Sequence, residues 1–157
     1  MHTARPLDRQ DLATLGRNHE DLLRLCRDLE DLADSLPFAI DEARCRDVAE
    51  QVVPLLTRTQ EFEEQLLFPD LDRSAGSCFA AMMIERLKNE HRCDLMAAEE
   101  ISLTLKAMLR GHCGLTFETI GYMLRGFFEC VRRHVASEKA MINQLIPPEP
   151  ESRMMLA

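Results

Sequence analysis

The chain has 157 residues, enough for one domain with a sizeable core. Apolar residues make up 46%, which excludes a disordered composition, and a Leu-, Ala-, Glu- and Arg-rich mix with only 5% aromatics favours helix over sheet. The 27 acidic residues outweigh 19 basic ones, for a formal charge of -8, which argues against nucleic acid as a partner because a phosphate-binding footprint is basic. No uncharged stretch approaches a membrane span, and charges interrupt residues 1–17, so neither a spanning helix nor a signal peptide is expected. A soluble cytoplasmic protein is the default expectation.

In chain order, the first predicted helix covers residues 8–34. Leu12, Leu15, His19, Leu22, Cys26, Leu29 and Ala33 recur on it at spacings of three and four. Pro37 marks its stop. The second covers residues 42–67 or a little beyond, with Asp41 as cap and Val48, Val52, Leu56, Thr59, Glu63 and Leu66 as its stripe. Pro54 should kink it near residues 50–54, and Pro69 should limit its far end. Ser74, Gly76 and Ser77 form a turn. The third helix covers residues 78–109, its stripe being Ile84, Leu87, His91, Leu95, Ala98, Ile101, Leu105 and Met108. Gly111 and Gly114 bracket the next loop. Thr116 caps a fourth helix, residues 117–145, whose stripe holds Phe127, Val131, His134, Glu138, Met141 and Leu145. Pro147, Pro148 and Pro150 end it, leaving residues 1–150 as one domain and 151–157 as a loose tail. Four long helices with short connections predict an all-α, up-down-up-down antiparallel four-helix bundle.

Each stripe contains residues that an apolar seam should reject. His19, Glu63, His91, His134 and Glu138 are ionisable, and burying such groups is costly unless something satisfies them. Taken singly, each has an ordinary reading. His19 and His91 would be hydrogen-bonded core histidines, Glu63 part of an acidic surface run, and His134 with Glu138 a helical ion pair. Taken together they gain a common level. At 1.5 Å rise per residue, His19 and His134 lie roughly 16 Å from one end of the bundle, Glu63 roughly 12 Å, His91 roughly 21 Å and Glu138 roughly 10 Å. Five ligand-type side chains from four helices converge on one slab. Imidazole nitrogens with carboxylate oxygens suit Fe, Mn or Zn, and carboxylates can bridge two ions. His2, in the tail, and His112, in the far loop, are poor candidates. Six cysteines form no CxxC pair and suggest neither a zinc knuckle nor a disulfide framework, with Cys26 reading as a core residue. Met82 and Met83 read as core filler.

These residues resemble the hemerythrin-like family, the bacterial HHE cation-binding domains, over nearly the whole chain. The resemblance rests on Asn18-His19-Glu20, the segment from Glu63 to Pro69, Glu90-His91 and the run from His134 to Glu138, in that order and spacing. It implies a four-helix bundle around a non-haem di-iron centre. His19, Glu63, His91, His134 and Glu138 then match ligand positions, the two carboxylates matching bridging ones. The sequence departs from the family where Thr59 replaces the histidine usual four residues before Glu63, and where Leu87 and Leu95 leave the third helix with a single histidine. Three histidines and two carboxylates remain, for one or two iron ions. Glu64 could join them only if the Pro54 kink rotates its segment, and the Thr59 hydroxyl could hold a metal-bound water. The resemblance implies a protein that binds or senses a small diatomic ligand, oxygen or nitric oxide, or handles iron. Two alternatives stand beside it: a metal-free helical regulatory or interaction protein of the same fold, and an iron-dependent redox or peroxide-consuming enzyme. Nothing in the sequence names a protein partner.

Overall fold

The structure is a computed structural model that describes residues 5–145, without the side chain of Leu145. The expected tail at 151–157, the stop at Pro147 and His2 lie outside the described residues. Within them the chain is all helical. Helix α1 (Arg9–Ser35) starts at a capping box, Asp8 accepting from the Asp11 amide while the Asp11 side chain accepts from the Asp8 amide. Helix α2 (Glu42–Phe62) starts at Asp41, whose carboxylate accepts from the Arg44 amide. It runs on through a π-helical segment, Glu63–Leu67, into α3 (Phe68–Ala75). Helix α4 (Cys78–Leu109) is capped by Ser77 and α5 (Phe117–Leu145) by Thr116, whose hydroxyls accept from the Ala80 and Thr119 amides. Around the bundle, α1 packs on α2, α2 on α4, α4 on α5 and α5 back on α1. Sequential neighbours in a closed ring give the up-down-up-down arrangement.

Two departures from the expected second helix bear on function. Regular α geometry continues through Pro54, and the irregularity lies instead at the π segment, where the Phe68 amide reaches back five residues to the Glu63 carbonyl. The wider turn shifts the register. Leu67 and Phe68 become fully buried, while Leu66, expected on the stripe, is only partly so. Pro69 does not stop the helix either. It sits in the first turn of α3, where a missing amide hydrogen costs nothing. The helix ends six residues later at Ala75, with Gly76 as its cap at φ +54°. A Cβ there meets no atom within 4 Å, so Gly76→Ala should cost only the backbone strain of the left-handed region, about 1 kcal/mol by urea unfolding.

The apolar core is cut in two. The larger part includes Leu22, Leu29, Val52, Leu56, Ala98, Leu105, Phe128 and Val131. The smaller consists of Leu15, Leu67, Phe68, Leu71, Ile84 and Leu87. On every column the break falls at the ionisable positions: His19 lies between Leu15 and Leu22, Glu63 between Leu56 and Leu67, and His91 between Leu87 and Ala98. Outside this layer the methionine expectation fails at Met82, which is 66% exposed. The six cysteines are unpaired. Cys26 and Cys45 are buried, and burial pushes the Cys26 thiol up to about 12, as befits an inert core residue.

Candidate metal centre

All five expected side chains meet in the polar layer. His19, Glu63, His91 and Glu138 are fully buried, and the His134 ring is nearly so. Each carboxylate spans the layer with its two oxygens. On one side, His19 Nε2 lies 3.1 Å from Glu63 Oε1 and 3.0 Å from Glu138 Oε2. On the other, His91 Nε2 lies 2.9 Å from Glu63 Oε2, and His134 Nε2 lies 2.7 Å from Glu138 Oε1. The two ring nitrogens on that side are 3.2 Å apart. One donor atom from each of Glu63, His91, His134 and Glu138 falls within 4.8 Å of the others, a spacing at which a single cation could be held.

Two residues absent from the expected ligand set fix the ring orientations. His91 Nδ1 donates to Glu64 Oε1 at 2.8 Å, and His134 Nδ1 donates to Glu90 Oε2 at 3.3 Å. With the Nδ1 protons engaged outward, both Nε2 atoms turn into the layer, an arrangement characteristic of metal-binding histidines. Glu64 owes its position to the π segment that begins one residue earlier, not to a Pro54 kink. The same segment buries Phe68, whose ring stacks on His91 with centroids 5.2 Å apart. The sequence signal for Glu64 and Glu90 was slight, because both are partly solvent-facing acids adjacent to a buried residue.

The Thr59 hydroxyl is buried and donates to the Leu55 carbonyl at 2.9 Å, bonding back into its own helix. The neighbouring Gln60 amide donates to the His91 carbonyl at 2.8 Å, tying α2 to α4 beside the site. Thr59, Gln60 and Asp94 border a cavity of about 10 Å³ that opens between Glu63, His91 and His134. That is room for about one water molecule. A far larger cleft, about 1020 Å³, lies between α4 and α5 and is lined by Glu85, Glu90, Cys93, Cys130 and Arg133. Asp94 and His134 border both spaces, so these two side chains stand between the cleft and the inner cavity.

The electrostatics follow from the pairing. Burial alone would lower each histidine, but hydrogen bonds and charges from Glu138 and Glu63 outweigh it. They hold His19 and His91 up at about 9 and His134 at about 11. Burial likewise works against Glu138 as an anion, yet its histidine partners hold it well below the usual carboxylate range. Burial raises Asp94, which the positive field of His134 and His91 only partly offsets. The layer is therefore a compact set of neutralised charges, with imidazole nitrogen and carboxylate oxygen as its donors. That chemistry fits a transition-metal ion of the iron, manganese or zinc type.

Among the described residues, no helix is long and apolar enough to cross a membrane. No curated protein and no solved structure matches the chain. The sequence profile of the Hemerythrin HHE cation binding domain does, over residues 10–146. That match spans all five helices and the buried His and Glu layer at their centre, and the chain belongs to the hemerythrin HHE cation-binding domain family.

Proposed function

We propose that this protein binds non-haem iron in the polar layer and uses it to bind or sense a small diatomic ligand, oxygen or nitric oxide. The observation that carries the reading is the convergence of His91 Nε2 and His134 Nε2, 3.2 Å apart, while their Nδ1 atoms are tied to Glu64 and Glu90. Two rings held this way present their Nε2 atoms to one point, free to coordinate once deprotonated, and Glu63 and Glu138 supply the anionic charge that a buried cation needs. Bound iron would contribute redox activity and open coordination positions for an exogenous ligand. The protein's own residues do the rest. Leu22, Leu56 and Val131 wall the inner cavity with apolar surface, and its size admits nothing much larger than a water-sized or diatomic molecule. The α4–α5 cleft lies on the far side of Asp94 and His134 from it.

The test is anaerobic loading with ferrous iron, followed by metal analysis and absorption spectroscopy before and after nitric oxide. The expected result is bound iron, a spectral change with nitric oxide, and loss of both in His134→Ala. Unchanged iron binding in that variant removes His134 from the site. Glu64→Ala tests the orientation of His91. It should weaken metal affinity about 10- to 100-fold in a competition titration while the fold persists.

One observation favours a second reading, a metal-free helical scaffold. Among the described residues every buried side-chain nitrogen and oxygen already has a hydrogen-bond partner, the histidines and carboxylates satisfying one another. Full stability without metal, together with no iron uptake, would establish that reading.

A further inference from the structure

The two sides of the polar layer are unequal, and the inequality has a consequence for stoichiometry. On the His91 and His134 side, two imidazole nitrogens and one oxygen from each of Glu63 and Glu138 make a four-donor set. On the other side the same carboxylates meet a single imidazole, that of His19. The buried polar side chains of α2 itself, Thr59 and Gln60, border the cavity on the other side and donate to the Leu55 and His91 carbonyls. A second ion would have one nitrogen and two shared oxygens from the protein, in a space closed off by a fully buried ring. The inner cavity, moreover, opens on the His91 and His134 side, and His19 does not border it.

We propose that this chain binds one metal ion, held by His91, His134, Glu63 and Glu138, and that His19 is a positioning residue rather than a ligand. This rests on the metal-binding reading above. In this arrangement the His19 Nε2–H donates to the outer oxygens of both carboxylates, at 3.1 and 3.0 Å. It clamps their inner oxygens at the spacing one ion requires, the role that hydrogen-bond donors to ligating carboxylates commonly play. The open coordination position then faces the small cavity beside Thr59 and Asp94, toward the cleft that leads to solvent.

Cobalt(II) is a suitable probe, because its visible bands report coordination number and donor type. Titration of the full-length metal-free protein should saturate at one equivalent, with the intense bands of low-coordinate cobalt. His19→Gln retains a side-chain N–H donor. It should keep one equivalent and the same band positions, with affinity lowered no more than about 100-fold. His91→Ala should lose the bands, and far-ultraviolet circular dichroism checks that each variant is folded. Saturation of the wild-type protein at two equivalents overturns the single-ion proposal and leaves the metal-binding reading intact. A shift of the cobalt bands in folded His19→Gln makes His19 a ligand and also overturns it. Failure of the wild-type protein to bind cobalt, iron, zinc or manganese overturns the metal-binding reading and the single-ion proposal together. Should His19→Gln fail to fold, the wild-type stoichiometry still decides.

Discussion

Replacing Glu138 with alanine is expected to abolish metal loading and to destabilise the metal-free protein by about 3–5 kcal/mol, the cost of removing one partner from a buried ion pair. The magnitude comes from how much Glu138 satisfies. It lies 2.7 Å from His134 Nε2 and 3.0 Å from His19 Nε2 while only 1% of its surface is exposed. Without it the two rings share Glu63 alone, one of them must release its proton, and the hydrogen bonds across the layer are lost. A typical domain has only about 5–15 kcal/mol of stability, so the loss should be plain in urea unfolding at neutral pH. Glu138→Gln separates the two consequences. It preserves shape and some hydrogen bonding, so its unfolding penalty should be smaller, whereas the loss of anionic charge should still eliminate tight metal binding. Glu99→Ala, at an exposed position on α4, is the control and should change stability by less than about 0.5 kcal/mol. A Glu138→Ala protein that unfolds like the control would mean that the layer contributes nothing to the bundle.

The parts legible in the sequence are those with a strictly local cause. Helix α4 begins and ends, and α5 begins, where Ser77, Thr116 and the periodic stripes place them, because a hydroxyl cap and a 3.6-residue repeat act within one or two turns. The common level of His19, Glu63, His91, His134 and Glu138 was legible too, since helical rise converts sequence distance into depth. The π segment was not. Phe62, Leu66, Leu67, Phe68 and Leu71 offer apolar side chains that fit either an α or a wider turn, and only packing in the smaller core selects between them. Pro54 is the stronger local signal, and for that reason the irregularity was expected there; tertiary packing placed it nine residues further on, at Glu63.

The places that Glu64, Glu90 and Asp94 take around the site escaped the sequence for a different reason. None lies on the central stripe of its helix. Glu64 and Glu90 reach a buried ring from the side, Asp94 borders the cavity beside the rings, and helical periodicity carries no information about which neighbouring helix such an acid faces. Glu64 pairs with a ring on α4, and Glu90 on α4 pairs with a ring on α5, so both contacts depend on how the columns pack against one another. Asp94, three residues after His91, acquires its place at the junction of cleft and cavity from the same packing. The missing histidine at Thr59, by contrast, was plain from the sequence. What the structure adds is that its hydroxyl hydrogen goes to Leu55 while its oxygen borders the water-sized cavity and keeps its capacity to accept.

The second large effect is on pH. His19, His91 and His134 are raised from 6.5 to about 9, 9 and 11 in the metal-free protein. A raised histidine contributes stability that is fully present below pH 6.5 and is lost as pH climbs through its folded value. Glu138 is lowered, so its contribution is present above 4.5 and disappears in acid. The metal-free bundle should therefore be most stable between about pH 4.5 and 6.5, and weaken on either side. Metal binding runs the opposite way through neutrality, because a coordinating imidazole must first give up its Nε2 proton. With His91 and His134 as the nitrogen ligands, two protons leave per ion, and apparent affinity should rise about 100-fold per pH unit between about pH 6 and 8. The shift in melting temperature on adding metal should grow over the same range. Two measurements check this: the slope of apparent affinity against pH, and proton release into a weakly buffered solution on metal addition. A slope near three would mean that His19 gives up its proton as well, and a flat profile would mean that the histidines are not the ligands.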